Sequence, residues 1–190
     1  MADITISKTT TALVVIDLQK GIAGQPTQPH ASKDVVANAA KLATSFRNNK
    51  MPVFLVHVVS TPETMLRVVT DESFTRPASM PPDWSDFVPE MGPAPGDIII
   101  GKKQWGAFYG TDLELQLRRR GMDTIVLCGI ATDYGVESTA RFAYEFGFHQ
   151  IFAEDAMASR TAEQHNAAVN FVLKRLGRVR STAEILKAIG

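Results

Sequence analysis

The chain has no second cysteine. Cys128 stands alone among 190 residues, so no intramolecular disulfide can form, and a reducing, cytoplasmic compartment is the expectation. Net charge is missing too: Lys plus Arg equals Asp plus Glu at 20 each. No overall field therefore favours nucleic acid or an anionic membrane, and neither is expected as a partner. No apolar run approaches the ~20 residues of a membrane span. The start, MADITISKTTTALVV, has neither the basic segment nor the long apolar stretch of a secretory leader. The single dense basic run, Arg118-Arg119-Arg120, falls at the end of a predicted helix. Positive charge there opposes the negative end of the helix dipole, which reads as a solvated helix end.

What is present is ordinary for a globular protein: 45% hydrophobic and 21% charged residues, enough chain for one domain spanning 1–190. Short apolar runs alternate with amphipathic segments. Strands are expected at Ala12–Ile16, Val53–Val59, Asp97–Ile100, Thr124–Cys128 and Gln150–Ala153, with a weak sixth at Arg178–Arg180. These runs are rich in Val and Ile and do not alternate with polar residues, the pattern of parallel strands covered on both faces. Ser32 precedes a helix running to about Asn48, with Val35, Val36, Ala39, Leu42, Ala43 and Phe46 as its apolar stripe. Thr111-x-x-Glu114, Thr161-x-x-Gln164 and Ser181-x-x-Glu184 match capping boxes, and Gly121, Gly147 and Gly177 fall where helices should stop. Strand–helix alternation implies right-handed βαβ units in a three-layer α/β fold.

Residues 60–96 break this rhythm. Pro62, Pro77, Pro81, Pro82, Pro89, Pro93 and Pro95 crowd into them, and a connection this long in a compact domain is usually functional. Met80, Trp84, Phe87 and Met91 imply that it packs down, with one short helix near Pro62–Thr70. It reads as a substrate cover or oligomer contact, or as an inert packed loop.

In open α/β sheets ligands bind beyond the carboxyl ends of the strands, at the topological switch, which singles out three segments. Asp17 ends VVIDLQ; a partly desolvated carboxyl there has a raised pKa and can act as acid or base, or simply cap a turn. GKKQWGAFYGTDLE (101–114) places Lys102 and Lys103 at a strand end, followed by Trp105 and Phe108. GIATDYGVESTAR (129–141) runs from strand to turn to a helix starting near Tyr134. That geometry aims backbone N–H groups at one spot, unless it is an ordinary βα loop. Without a GxGxxG pattern it does not read as a dinucleotide site, and no cofactor is expected.

In this order the three segments, with AEDAMASR after them, resemble the signatures of the isochorismatase-like (cysteine hydrolase) superfamily across residues 12–160. The resemblance implies a three-layer Rossmann-like fold, a mainly parallel six-stranded sheet of order 3-2-1-4-5-6, and a homodimer or homotetramer. It places the catalytic aspartate at Asp17 and the catalytic lysine at Lys102. It implies a cis peptide at Ile130–Ala131, with the Ala131 amide directed at a small-molecule substrate. Substrate contacts are expected at Gln19, Trp105, Phe108, Ile130, Ala131 and Tyr134. The departure is Gly135, which stands where most of the superfamily has its nucleophilic cysteine. No thioester can form on glycine, Cys128 lies inside a strand as a small buried thiol, and Ser138 has no histidine beside it in sequence. His57, alone in an apolar strand, reads as a packed core residue, so no metal site is expected.

True isochorismatases and their phenazine-pathway relatives are similar to this chain in carrying glycine there. Vinyl-ether hydrolysis needs an acid to protonate the terminal carbon of the enolpyruvyl group, and water captures the oxocarbenium ion. The resemblance implies Asp17 as that acid, with Lys102 steadying charge or orienting the carboxyl. The segment VVSTPETMLR lacks the glutamine expected for substrate carboxylates, and neither Arg67 nor Arg76 is spaced to replace it. Three readings stand: a cysteine-independent hydrolase of a small anionic substrate, a water-mediated amide or C–N hydrolase, and a non-catalytic binder of a small molecule or partner.

Overall fold

The computed structural model describes residues 4–59, 61, 63–64, 66, 68–72 and 80–190. Its six strands are β1 Thr11–Ile16, β2 Val53–Val58, β3 Ile98–Lys102, β4 Thr124–Ile130, β5 His149–Ala158 and β6 Arg178–Arg180. They form one parallel sheet of order β3-β2-β1-β4-β5-β6. β1 sits in the middle and all six of its residues are buried. Each apolar side chain fully buried in this way contributes about 1.5–3 kcal/mol, which is why the central run carries no polar alternation.

The helices are α1 Lys20–Ala23, α2 Ser32–Asn48, α3 Leu113–Arg119, α4 Glu137–Glu145, α5 Ala162–Ala167, α6 Lys174–Leu176 and α7 Thr182–Ile189. A wide-wound stretch, Ala168–Leu173, joins α5 to α6. The chain steps outward from β1 to β2 on one side of the sheet and from β4 to β5 on the other. Right-handed crossovers therefore put the connecting helices on opposite faces. α2 packs on β1, β2, β4, β5 and α7, whereas α4 packs on β5 and α6. The expected stripe of α2 is the buried one. Among the described residues no helix is long and apolar enough to cross a membrane.

Local chemistry explains where elements start and stop. Thr161 and Ser181 each accept the N3 amide while Gln164 and Glu184 reach back, so both capping boxes form. The box expected at Thr111 and Glu114 does not form. α3 begins at Leu113 after Asp112, because the Thr111 hydroxyl donates to Ala107 O at 2.5 Å and accepts from Leu113 N at 3.1 Å. Ser32 is the first residue of α2 rather than its cap; its hydroxyl donates to the Ala23 carbonyl and ties α1 to α2. β5 extends well past the expected Ala153. Its charged residues Glu154 and Asp155 find partners there, Asp155 accepting from the Thr182 amide and hydroxyl at 2.6 and 2.7 Å.

The second half of the proline-rich connection does pack down. Phe87 bridges Gln19, Lys20 N and Gly21 N donate to Asp86 O and Trp84 O at 2.8 and 3.0 Å, and Met91 is fully buried. Of the helix expected over Pro62–Thr70, positions Pro62, Met65 and Arg67 lie outside the described residues, as does Arg76. The described positions of that stretch form no helix.

Candidate active site

β1 delivers Asp17 at its carboxyl end, between β2 and β4, where the strand order reverses. Asp17 takes a left-handed backbone, φ 55°, which costs about 1–2 kcal/mol for a residue with a Cβ. It is held there by its amide, which donates to Val56 O at 2.9 Å. Lys102 ends β3, two strands away, and its ammonium donates to Asp17 Oδ2 at 2.8 Å. The same ammonium donates to Gln104 O at 3.1 Å and Trp105 O at 2.8 Å. An ammonium has three donors, so all of them are engaged by the protein and none remains for a substrate.

The pair is nearly dry: the Asp17 side chain is 6% exposed and that of Lys102 1%. Burial pushes the Asp17 carboxyl up, the Lys102 charge and hydrogen bond pull it back, and it settles at about 6. Its second oxygen, Oδ1, is buried without a hydrogen-bond partner. A buried acceptor left so costs about 1–3 kcal/mol, which marks Oδ1 as the oxygen with capacity to spare for a proton.

The opposing wall is the turn after β4. The Ile130–Ala131 peptide is cis, and Thr132–Val136 makes a wide turn before α4. The Tyr134 and Val136 amides donate to Ala131 O at 3.3 and 3.1 Å. Two of the N–H groups expected to face a ligand therefore close the turn itself. Gly135 is buried against the pair. A Cβ placed there would lie 2.8 Å from Ile16 Cγ2 and 3.1 Å from Asp17 Oδ2. Any side chain at this position therefore requires Ile16 Cγ2 to shift. β4 approaches β1 closely at Gly129, φ 123°, where a Cβ would fall 2.0 Å from Ile16 O.

The structure thus brings Asp17, Lys102 and position 135 into contact. The other expected site residues divide. Trp105 is 55% exposed and meets Tyr134 edge-on at 4.8 Å, so these two rings form a rim over the turn. Ile130 is buried and Ala131 packs beside the core. Gln19 is a brace: fully buried, it accepts from Val58 N at 2.7 Å and donates to Trp84 O at 3.1 Å. Phe108 is corrected to a core residue. It is buried and packs on Phe146 and Phe148 at 5.4 and 5.8 Å, rings that lie just before the amino end of β5, rather than on Trp105 or Tyr134. Cys128 is buried, and desolvation raises its thiol to about 12, which leaves it un-ionised and inert. His57 is half-buried rather than fully buried, stacked on Phe87 at 4.7 Å with Nδ1 2.8 Å from Ser85 O.

Two features escaped the sequence reading. Thr139 stitches the site together, donating to Gly135 O at 2.7 Å and accepting from Ala107 N at 3.1 Å; a Thr one helical turn after Gly135 that bonds back to i−4 was the available signal. His30, Glu154 and His165 converge although they stand far apart in the chain, and no local pattern announces them. Hollows of about 490 Å³ and 340 Å³ lie along α2 and beside His57, Ser85 and Phe87. The first carries no chemistry-bearing cluster, and the Asp17 carboxyl itself is almost sealed.

The isochorismatase domain family matches residues 11–184. The chain is 52% identical over 181 residues to YecD of Escherichia coli O157:H7, covering 95% of this chain and 96% of that one. It is 49% identical to YwoC of Bacillus subtilis, covering 94% of both. Both carry the name of uncharacterised isochorismatase family proteins. Among solved structures, an isochorismatase family protein from Burkholderia thailandensis superposes with a TM-score of 0.93 at 43% identity over 99% of each chain. N-carbamoylsarcosine amidase from Thermoplasma acidophilum superposes with 0.75 at 30% identity, over 91% of this chain and 96% of that one. A sheet of this order, an aspartate and a lysine meeting at its switch point, and likeness along nearly the whole length agree on one assignment: the chain belongs to the isochorismatase family of hydrolases.

Proposed function

We propose that this hydrolase works without sulfur on a small, anionic substrate, with Asp17 as general acid in vinyl-ether hydrolysis. The observation that carries the proposal is the state of the Asp17 carboxyl. It is buried, raised to about 6 and anchored through one oxygen by Lys102. Its other oxygen is unpartnered, and the neighbouring residue is a glycine with no nucleophile to activate. A proton on Oδ1 passes to the terminal carbon of an enolpyruvyl ether. Water adds to the resulting oxocarbenium ion, and the hemiketal collapses to pyruvate and an alcohol, with the proton balance restored from solvent. Lys102, with its three donors engaged, orients the carboxyl and does not bind the leaving group. Trp105 and Tyr134 supply an aromatic rim for an unsaturated ring.

The likeness to N-carbamoylsarcosine amidase supports a second reading. In it ionised Asp17 activates water against an amide or related C–N bond. The two readings ask for opposite protonation states, so pH separates them. An acid loses rate as pH rises through about 6 and a base gains it. The test is pyruvate release from isochorismate-type vinyl ethers beside ammonia release from an amide panel, each followed across that range. Pyruvate release that falls above pH 6, survives thiol reagents and disappears in Asp17→Asn is the expected result. Ammonia release with the opposite pH slope supports the second reading. Silence in both assays, with ligand binding unchanged in Asp17→Asn, overturns catalysis at this site.

A further inference from the structure

We propose that His30, Glu154 and His165 form a binding site for one divalent transition-metal ion of zinc-like preference. This site uses none of the groups assigned to the Asp17 chemistry and stands independently of that reading. Three distant segments supply it: the loop before α2, β5 and α5. His30 Nε2 and His165 Nε2 approach the same oxygen, Glu154 Oε1, at 2.9 and 3.0 Å, and the three donor atoms lie within 4.8 Å of one another.

Two imidazoles and a carboxylate make a donor set suited to zinc and its neighbours, with a fourth position left for water. Tetrahedral bonds of about 2.0–2.2 Å set donors about 3.3 Å apart. The present N···O distances therefore need to open by only a few tenths of an ångström. Glu154 Oε1 already faces both ring nitrogens, so one carboxylate and two imidazoles are gathered at a single point. His30 and Glu154 are about a third exposed while His165 is fully buried. The site thus has an open side for ion and water and a fixed base.

The outer support that metal-bound histidines need is also present. His165 Nδ1 lies 2.9 Å from Thr132 Oγ1, and both groups are buried. A metal-bound Nε2 carries no proton, so His165 bound through Nε2 would present its N–H at Nδ1. His165 Nδ1–H then donates to Thr132, whose hydroxyl rotates to accept. Thr132 opens the turn that contains Gly135. An ion here clamps the 27–30 loop, already paired to Ser159 through Gln28, onto the segment that walls the Asp17 site.

The test uses metal-stripped full-length protein titrated with Co²⁺, whose visible absorption reports coordination, followed by displacement with Zn²⁺. One Co²⁺ per chain, displaced by Zn²⁺ and accompanied by a rise in Tm, is the expected result. Glu154→Gln and His30→Ala, both at the partly exposed side, should each weaken Co²⁺ binding by at least about tenfold. The exposed His149→Ala should leave it unchanged. Absence of Co²⁺ uptake by the wild type at about hundredfold excess, or equal uptake by the folded Glu154→Gln and His30→Ala variants, overturns the proposal.

Discussion

Two carboxylates flank the turn that contains Gly135, and their surroundings drive them in opposite directions. Asp17 is almost fully enclosed with one cationic neighbour; burial outweighs Lys102 and the carboxyl rises to about 6. Glu154 keeps about a third of its side chain in solvent and receives two imidazole hydrogen bonds, so it falls to about 2. Both are acidic side chains lodged at the carboxyl side of the same sheet. Desolvation against hydrogen-bond count decides which of them can carry a proton near neutrality and which stays an anion. The contrast matches the two proposed uses, a proton donor at Asp17 and a cation ligand at Glu154.

The comparison is most strongly tested at Asp17. Asp17→Asn removes the proton donor but retains the shape, and the turnover assay should show a loss of at least about a hundredfold. Glu154→Gln should leave turnover within a few-fold of wild type. Equal losses in both variants would mean that the two carboxylates do not have separate roles. Next in size, Gly135→Cys should fail to produce thiol-dependent ammonia release. It should destabilise the fold by about 1–3 kcal/mol through the clash with Ile16, read as a drop in Tm of a few degrees. Thiol-dependent amidase activity in that variant would show that the pocket had room for sulfur after all. Glu154→Gln should cost about 1–2 kcal/mol in chemical denaturation, reduced by the solvent exposure of the pair.

The smallest effect is a pH signature of opposite sign at the two sites. Asp17 holds its proton more tightly folded than unfolded. Its contribution to stability is complete below the ordinary 3.8 and is lost as pH rises through about 6. Glu154 is the reverse, contributing above 4.5 and losing that contribution as pH falls towards 2. Thermal melts across this range should therefore show Glu154→Gln flattening the acid limb only. Flattening of the limb near pH 6 by Glu154→Gln, rather than by Asp17→Asn, would contradict the pairing of residue and cause.

The fold could be read from the chain because its signals are local. Val- and Ile-rich runs bounded by helices declare buried parallel strands, and Thr161 and Ser181 declare helix starts through side chains three residues apart. Local signals also misled. Thr111 has the right spacing for a cap, but its hydroxyl belongs to the preceding loop, and the charges of Glu154 and Asp155 hid the second half of β5. The segments holding Asp17, Lys102 and Gly135 could be picked out because they stand at or just beyond strand ends, where α/β folds place ligands; the choice of Lys102 over Lys103, and the notice taken of Gly135, came from the family resemblance.

Sequence alone was enough to establish that the switch point lacks sulfur and holds an acid, because residue identity and strand order suffice for that. It could not reveal that Lys102 has no donor to spare, that Asp17 Oδ1 is left alone, or that Phe108 belongs to the core. Nor could it reveal that His30, Glu154 and His165 meet. Each of these depends on distances between residues far apart in the chain, and only the packing of the layers sets those distances and the desolvation that goes with them.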